Sequence, residues 1–415
     1  MTGFTTTILH NDRQSLIEHG SLHKPIHTSV TYGYDDAQDL FDVFQNKKSG
    51  YRYGRQGNPT ITALEDKLTK MENGVASLCF ASGMAAIGAL PLALLKAGDH
   101  VISSAFLFGN TSNLWQTTAD LGISVSYVDA TKVENIAAAL TLAPATRMVF
   151  VETIANPRTQ VADLEKIGEL CQARGILFVV DNTMTSPYLF HPKAVGAALS
   201  INSLTKVISG HGDVLGGCIT DTGVFDWRKF PNIADNIQKQ PVELWGISQL
   251  RAKAVRDFGA CLSPEAAHHI AIGAETMALR IERQCSNTVQ LTDMLAAHPN
   301  VSAVYYPGLK NHPEHPIATK LFSAYGSIFS FELKKSNAPD SNCIAFLNRL
   351  KIAISATHLG DNRTLIIPVA QTIFFEMGAE RRAAMGISES LIRVSVGIEE
   401  PADLLTDFEH ALEFN

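Results

Sequence analysis

Between Ser77 and about Gly217 the chain alternates short β-rich runs with stretches of helical periodicity. The predicted strands are Ser77–Phe80, His100–Ser103, Ser124–Val128, Met148–Glu152, Ile176–Asp181, Ser200–Ser203 and Leu215–Ile219. The helical stretches between them are Met84–Leu95, Asn113–Leu121, Val133–Leu142 and Asp163–Arg174. This alternation is typical of βαβ units, and it predicts an α/β fold with a mostly parallel sheet covered on both faces. Ligands of such sheets bind beyond the carboxyl ends of the strands.

The rest of the chain has a different pattern on each side of this region. At 415 residues the chain is too long for one compact core. Arg251–Asn287 has long helical periodicity, and the residues after it mix strands with amphipathic helices, which predicts a smaller α+β domain joined by a long helix. The first sixty or so residues are polar, rich in Gly and Tyr, and little periodic. We therefore expect an N-terminal arm on a neighbouring subunit (1–60), a large domain (61–282) and a C-terminal domain (283–415).

Composition excludes several classes of protein. The net charge of −7, without a basic stripe, argues against a nucleic-acid surface. The longest apolar run, Ile87–Leu95, is far too short to cross a bilayer, and the N-terminus has no signal-peptide pattern. Six scattered cysteines without a Cys-x-x-Cys favour a reducing compartment over a zinc site. We expect a cytoplasmic protein without a metal or a membrane partner.

Lys206 and Asp181 are the candidate catalytic pair. Asp181 ends the apolar run Ile176–Val180, and Lys206 follows 25 residues later among small, uncharged residues. A lysine amine forms a Schiff base with an aldehyde cofactor, and uncharged surroundings would lower its pKa. A carboxylate at a strand end can keep a pyridinium nitrogen protonated, so that the ring accepts electrons from a carbanion.

A turn of small residues gives a candidate phosphate site. Ala81-Ser82-Gly83-Met84 joins a predicted strand to a predicted helix, which directs free backbone N–H groups and a positive helix end toward an anion. Ser203 and Thr205, close to Lys206, could add hydroxyl donors. From the turn alone, a tight turn without a ligand is an equally good interpretation.

With these motifs in place, the chain resembles the pyridoxal-phosphate-dependent transsulfuration enzymes. That family includes cystathionine γ-synthase, the cystathionine β- and γ-lyases, methionine γ-lyase and O-acylhomoserine sulfhydrylase. The matching motifs occur in order through nearly the whole chain: Tyr53–Thr60, Ala81–Ala86, Glu152–Pro157, Val180–Thr183, Ser203–Lys206 and Leu391–Gly397. The resemblance implies an aspartate-aminotransferase-like fold (fold type I), pyridoxal 5'-phosphate as cofactor, and a small amino acid as substrate.

The resemblance also implies a role for each matching residue. Lys206 would carry the cofactor and move protons, and Asp181 would pair with the ring nitrogen. Ser82, Gly83, Met84, Ser203 and Thr205 would bind the phosphate. Asn156 would lie near the phenolic oxygen, and Arg393 would bind the substrate carboxylate through a bidentate fork that lysine cannot reproduce.

The assembly is part of the same inference. Tyr53 and Arg55, on the N-terminal arm, would reach the phosphate in a neighbouring subunit. Active sites shared between subunits, in a homotetramer built as a dimer of dimers, are therefore expected.

Three departures from the family bear on the reaction. Family members carry Leu-Tyr-Gly where this chain has Leu107-Phe108-Gly109, so Phe108 keeps the stacking area but lacks an acid/base hydroxyl. Thr357 stands near the position of a glutamate that would pair with a distal ammonium. The segment Asp221–Arg251 is long, resembles the sulfhydrylases, and could cover the mouth of the site.

These departures leave several reactions open. Loss of a β substituent follows from one deprotonation, whereas loss of a γ substituent needs a second one. Phe108 therefore favours a carbon–sulfur lyase of the cystathionine β-lyase type. Thr357 and the long segment favour γ-replacement, as in O-acylhomoserine sulfhydrylase or cystathionine γ-synthase, or a methionine or cystathionine γ-lyase. A scaffold protein with a dead site is disfavoured by the intact Lys206, Asp181 and Arg393, and a nicotinamide dehydrogenase by the missing Gly-x-Gly-x-x-Gly.

Overall fold

A seven-stranded sheet forms the larger part of the molecule. The structure is a computed structural model that describes residues 3–14, 17–334 and 339–413. The seven strands are β1 Ala76–Phe80, β2 His100–Ser104, β3 Ser124–Val128, β4 Thr146–Glu152, β5 Leu177–Asp181, β6 Leu199–Ser203 and β7 Gly217–Asp221. Their order is β1-β7-β6-β5-β4-β2-β3, and the four pairings from β6 to β3 are parallel. The predicted mostly parallel sheet is confirmed.

Helices cover both faces of this sheet. Those of the larger part are α1 Phe4–Leu9, α2 Ala37–Phe44, α3 Pro59–Met71, α4 Gly83–Leu94, α5 Gly109–Asp120, α6 Val133–Leu142, α7 Leu164–Arg174, α8 Ser186–Leu189, α9 Trp245–Leu250, α10 Pro264–Glu275 and α11 Met277–Ala297. Because both faces are covered, Leu177–Val180 of β5 is buried throughout, which explains its uninterrupted apolar run. Separate apolar clusters lie on the two faces.

A five-stranded sheet forms the second, smaller unit. Its strands are β8 Val301–Tyr305, β9 Ile328–Leu333, β10 Ile354–Ser355, β11 Leu365–Pro368 and β12 Leu391–Ser395, in the order β10-β11-β12-β9-β8. Its helices are α12 His315–Leu321, α13 Pro339–Arg349, α14 Ala379–Ala384 and α15 Pro401–Leu412. The expected smaller α+β unit is present, with its own apolar core. No helix in the described part of the chain combines the length and the apolar character that crossing a bilayer requires.

The structure differs from the sequence prediction at three places. The helical region Arg251–Asn287 is broken: a π-helical turn at Arg251–Asp257 precedes α10, and α11 starts after a second break at Thr276. The first break ends where Ser263 caps α10 and Pro264 starts it, because proline suits the first helical position. Strand β7 is antiparallel to both neighbours, and β10 and β11 were too short to recognise.

The first sixty residues contain little regular structure. Within the described residues, α1 and α2 are the α-helices that precede α3. Several large apolar side chains here are exposed, among them Leu22, Val30, Phe41 and Phe44. The expected arm on a neighbouring subunit would cover such side chains. The division into 1–60, 61–282 and 283–415 stays a prediction.

Glu72 ties the ends of two central strands to the end of α3. Its side chain is buried, and its Oε1 accepts hydrogen bonds from Asn182 Nδ2 (3.3 Å), Ser200 Oγ (2.8 Å) and Asn202 Nδ2. Asn182 follows Asp181 and Asn202 precedes Ser203, so Glu72 fixes the backbone beside two candidate site residues. Burial raises the pKa of Glu72 to about 7.

This pKa predicts how stability changes with pH. Between about pH 4.5 and 7 the folded chain keeps a proton on Glu72 that the unfolded chain releases, so the free energy of unfolding falls as pH rises through this window. The fall in the free energy of unfolding should be roughly 3 kcal/mol across the window. Glu72→Gln mimics the protonated group and should remove this fall. Denaturant titrations at about pH 5 and 8 measure it.

Glu169→Gln makes the same substitution at an exposed position on α7 and is the control. Its pH dependence should match that of the wild type. If Glu72→Gln and the control lose stability with pH equally, Glu72 is ionised in the folded protein at neutral pH.

Candidate active site

A cavity of about 710 Å³ lies beyond the carboxyl ends of β4, β5 and β6. The last residues of β4 and β5, Glu152 and Asp181, are paired in register and both line the cavity. Ser203, the last residue of β6, lines it as well, followed by Lys206. The smaller unit closes the other side with Thr357, His358, Gln371–Ile373, Phe375, Glu376 and Arg393.

The N-terminus of α4 forms one end of the cavity. Ser82 caps the helix, and its hydroxyl accepts from Ala85 N at 3.0 Å. The first amides of a helix have no acceptor within it, so the amides of Gly83 and Met84 are left for an anion. A Cβ on Gly83 would lie 2.9 Å from Ser203 Oγ, so glycine lets the helix approach the end of β6 closely. Thr205 lines the same end, but its hydroxyl already donates to Gly216 O at 3.2 Å.

Two carboxyl groups, the buried Glu152 and the half-buried Asp181, lie side by side on the sheet edge. Burial, followed by the negative charge of Asp181, raises the pKa of Glu152 to about 8. Burial also raises the pKa of Asp181, although Asp181 Oδ1 accepts from Thr183 N at 3.0 Å. Two adjacent carboxylates repel each other, so the pair holds a proton near neutral pH. A cationic N–H group placed against Asp181 would stabilise its ionised form.

Lys206 lies in the same cavity and has a histidine beside its amine. Burial, followed by the positive charge of Arg393, lowers the pKa of Lys206 to about 8. Its Nζ lies 3.4 Å from Nδ1 of His358. At pH 7 roughly a tenth of Lys206 is therefore an uncharged amine, far more than for an exposed lysine, and this form can act as a nucleophile or a base.

Arg393, on β12, is buried with a free N–H. Its Nη2 donates to Thr357 O (2.8 Å) and His358 O (3.1 Å), and its Nη1 donates to Asn156 Oδ1 (3.4 Å). Its Nε has no hydrogen-bond partner among the described residues. An unpaired buried donor on a guanidinium suits a carboxylate ligand, because the planar group donates parallel hydrogen bonds to the two carboxylate oxygens. Burial lowers the pKa of Arg393 to about 10, and it stays charged near neutral pH.

Eleven of the thirteen residues chosen from the sequence line the cavity: Ser82, Gly83, Met84, Phe108, Asn156, Asp181, Ser203, Thr205, Lys206, Thr357 and Arg393. Tyr53 and Arg55 do not; the guanidinium of Arg55 lies 5.5 Å from the centre of the Tyr53 ring, and Tyr53 is exposed. Their predicted place in a neighbouring subunit's site stays a prediction.

Sequence reasoning missed two residues. Glu152 accepts from Phe108 N at 2.9 Å and so fixes the start of α5. Glu152 ends a predicted strand, as Asp181 does, and this position could have predicted that Glu152 lies in the site. His358 gave no such signal, because its contact with Lys206 spans 152 residues of sequence.

The long segment Asp221–Arg251 is predicted to cover the mouth of the site. Among the described residues, none of this segment lines the cavity. Trp227 lies instead in the core, where its Nε1 donates to Asp221 Oδ2 at 2.7 Å. In the described part of this chain the segment therefore contributes nothing to the cavity wall, and its predicted place over the mouth of the site stays a prediction.

Comparisons with known proteins agree with this geometry. A family model described as "Cys/Met metabolism PLP-dependent enzyme" matches residues 5–413. An L-methionine γ-lyase of Fusobacterium nucleatum subsp. polymorphum is 36% identical, over 99% of this chain and 98% of the relative. A homocysteine synthase of Schizosaccharomyces pombe is 35% identical, over 99% of this chain and 98% of the relative. The crystal structure of a cystathionine γ-lyase from Micromonospora echinospora has a TM-score of 0.88 at 34% identity and covers all of both chains.

Proposed function

Since the chain belongs to the pyridoxal-phosphate-dependent enzymes of cysteine and methionine metabolism, we propose that it is a γ-lyase for a methionine-like amino acid. The balanced reaction on L-methionine consumes water and releases methanethiol, 2-oxobutyrate and ammonia. The observation that carries the proposal is the charge in the cavity wall: among the described residues its cationic side chains are Lys206 and Arg393, its acids are three, and the other side chains are apolar or uncharged polar groups.

The residues present fit the cofactor, pyridoxal 5'-phosphate. The amides of Gly83 and Met84, with Ser82 and Ser203, would hold the phosphate, and Thr205 would join them by exchanging its bond to Gly216 O. Asp181 would face the ring nitrogen. Lys206 would hold the aldehyde carbon, and Phe108 would pack on the ring. The unpaired Nε of Arg393 is left for the carboxylate of the substrate, with Asn156 and Thr357 beside it.

The side chains then divide the chemistry between them. When bound, the cofactor withdraws electrons from the substrate, so that the protons on Cα and then on Cβ become acidic. Arg393 orients the substrate by its carboxylate, which directs Cα toward Lys206. Lys206 Nζ removes the Cα proton as an uncharged amine, which its lowered pKa allows. Glu152 keeps Phe108 and the start of α5 in place through its bond to Phe108 N.

The rest of the cavity favours a substrate with an uncharged, apolar end. Its apolar lining consists of Met84, Ile87, Phe108, Leu215, Ile373 and Phe375, among other residues. Of the described residues in the wall, Lys206 and Arg393 carry the positive charge, and both already have a role. The second carboxylate of cystathionine would find no cation beyond these two among the described residues of the wall, where Glu376 offers a partner only to the distal ammonium. A thioether such as that of methionine needs no such partner.

Two other reactions remain as outcomes of the test. The expectation of a cystathionine β-lyase rested on Phe108, and the related proteins named above, which are γ-lyases and a homocysteine synthase, give it no support. Replacement of the acyloxy group of O-acylhomoserine by sulfide, with release of the carboxylate, uses the same two deprotonations as γ-elimination and remains the second candidate.

Substrate comparison tests the proposed function. The wild type should release 2-oxobutyrate from L-methionine with a kcat/KM about tenfold or more above that for pyruvate release from L-cystathionine, because an unpaired carboxylate weakens binding. Consumption of sulfide with O-acetylhomoserine is measured beside it. Faster sulfide consumption than methionine cleavage would replace the lyase by a sulfhydrylase, and faster pyruvate release would restore the β-lyase.

We also propose that the enzyme is a homotetramer, a dimer of dimers, in which Tyr53 and Arg55 bind the phosphate in a neighbouring subunit. Their absence from this chain's own cavity and the exposed apolar residues of the arm support this arrangement.

Mixed oligomers test the sharing of sites. Arg55→Ala and Lys206→Ala subunits should each be inactive, but mixing them creates some sites with both residues normal, at most about a quarter of wild-type activity for random dimers. Lys206→Ala mixed with Asp181→Asn is the control, since both changes fall in the same chain's site and no normal site can form. Equal activity in the two mixtures would contradict shared sites.

A further inference from the structure

His358 holds a position beside Lys206 that none of the roles above uses. Its Nδ1 lies 3.4 Å from Lys206 Nζ, and its Nε2 is buried without a hydrogen-bond partner among the described residues. The ring lines the same cavity. An imidazole can both accept and donate a proton, whereas Phe108 can do neither.

The backbone around His358 is fastened against the turn that carries Lys206. A Cβ on Gly360 would lie 2.6 Å from Val207 N, and Gly360 has a φ of +73°, so only glycine allows this close approach. Asn362 N donates to Gly210 O at 3.0 Å, and Arg393 donates to His358 O. The distance between imidazole and amine is therefore set by the fold and not by a free loop.

We propose that His358 is the proton partner of Lys206, accepting at Nδ1 the proton that Lys206 Nζ removes from Cα. Lys206 is thereby an uncharged amine again and can remove the second proton, from Cβ. Of the two protons taken from carbon, one leaves on the sulfur as the thiol and the other returns to the terminal carbon of the product. The inference rests on the proposed γ-chemistry, since a β-elimination needs only one deprotonation.

The charges around His358 keep it neutral until the substrate is bound. Its pKa is lowered to about 4 by burial and then by the positive charge of Lys206; Arg393 and Arg363 act in the same direction, and Asp361 opposes them. Glu152, Asp181 and Glu376 are the acids in the cavity wall. When Lys206 is uncharged and a substrate carboxylate offsets the charge of Arg393, two of the positive charges that lower the pKa of His358 no longer act. The imidazole is then a stronger base during the reaction with substrate.

Two substrates with the same leaving group test the inference. L-methionine requires both deprotonations, whereas S-methyl-L-cysteine, one methylene shorter, loses the same methanethiol after one. His358→Gln keeps the size and the hydrogen bonding but not the proton transfer, and should lower kcat on methionine about 10- to 100-fold while changing kcat on S-methylcysteine by less than about threefold. Added imidazole should restore part of the methionine activity of His358→Ala. His269→Ala, on the exposed side of α10, should neither lose activity nor respond to imidazole.

A measurement on the cofactor-free protein checks the pairing without activity. Diethyl pyrocarbonate reacts with neutral imidazole, so labelling of His358, followed by peptide mass spectrometry, should be independent of pH between about 5.5 and 8 in the wild type. In Lys206→Met the loss of the positive charge should raise the pKa of His358, and labelling should then fall toward the acid end. Identical profiles in both proteins would overturn the pairing.

The outcomes also separate this inference from the proposed function. Wild type that leaves methionine intact but consumes sulfide with O-acetylhomoserine overturns the lyase proposal alone, and the His358 variants are then compared on that substrate. An equal loss on the γ- and β-substituted substrates, or no loss on either, overturns the role of His358 alone.

Discussion

The site depends on the removal of water from charged groups at one edge of a parallel sheet. Glu152 and Asp181 end neighbouring buried strands, and the smaller unit places Arg393 in the same cavity. Burial is the largest cause of the raised pKa of both acids and of the lowered pKa of Lys206 and Arg393. Each shift moves its group toward the uncharged form, and a bound cofactor and a substrate carboxylate would supply the opposite charges that stabilise the ionised forms.

The need to keep Lys206 away from water explains why the backbone segments around it are packed so closely. A lysine with a lowered pKa is useful only if its partners stay at a constant distance, and the contacts of Gly83 with Ser203 and of Gly360 with Val207 show how closely the backbone segments approach. Glu72 accepts hydrogen bonds from the ends of β5 and β6, and Arg393 donates hydrogen bonds to the carbonyl oxygens of Thr357 and His358 on the other side of the cavity. The chemistry thus depends on two units meeting at the cavity, each with part of the proton-transfer apparatus.

Local patterns predicted most of the fold and much of the site. Strand ends such as Asp181 and the turn at Ser82–Met84 could be recognised because hydrophobic periodicity and turn residues act over a few positions. The break between Arg251 and Pro264 escaped, since a single short π-helical segment changes the helical periodicity of a long stretch too little to be recognised. His358 escaped for another reason: its function arises from a contact between chain segments 152 residues apart, which periodicity does not encode. The sequence of the long segment before Arg251 likewise did not predict that Trp227 is buried in the core.

The central claim is that burial gives Lys206 a reactive amine near neutral pH. Cyanate carbamylates only uncharged amines, so the rate at each lysine of the cofactor-free protein, followed by peptide mass spectrometry against pH, reports its pKa. Lys206 should reach its half-maximal rate near pH 8. Lys166, an exposed lysine whose pKa is raised by its pairing with Asp163, should still be rising above pH 10.5. Parallel curves for the two lysines would contradict the account.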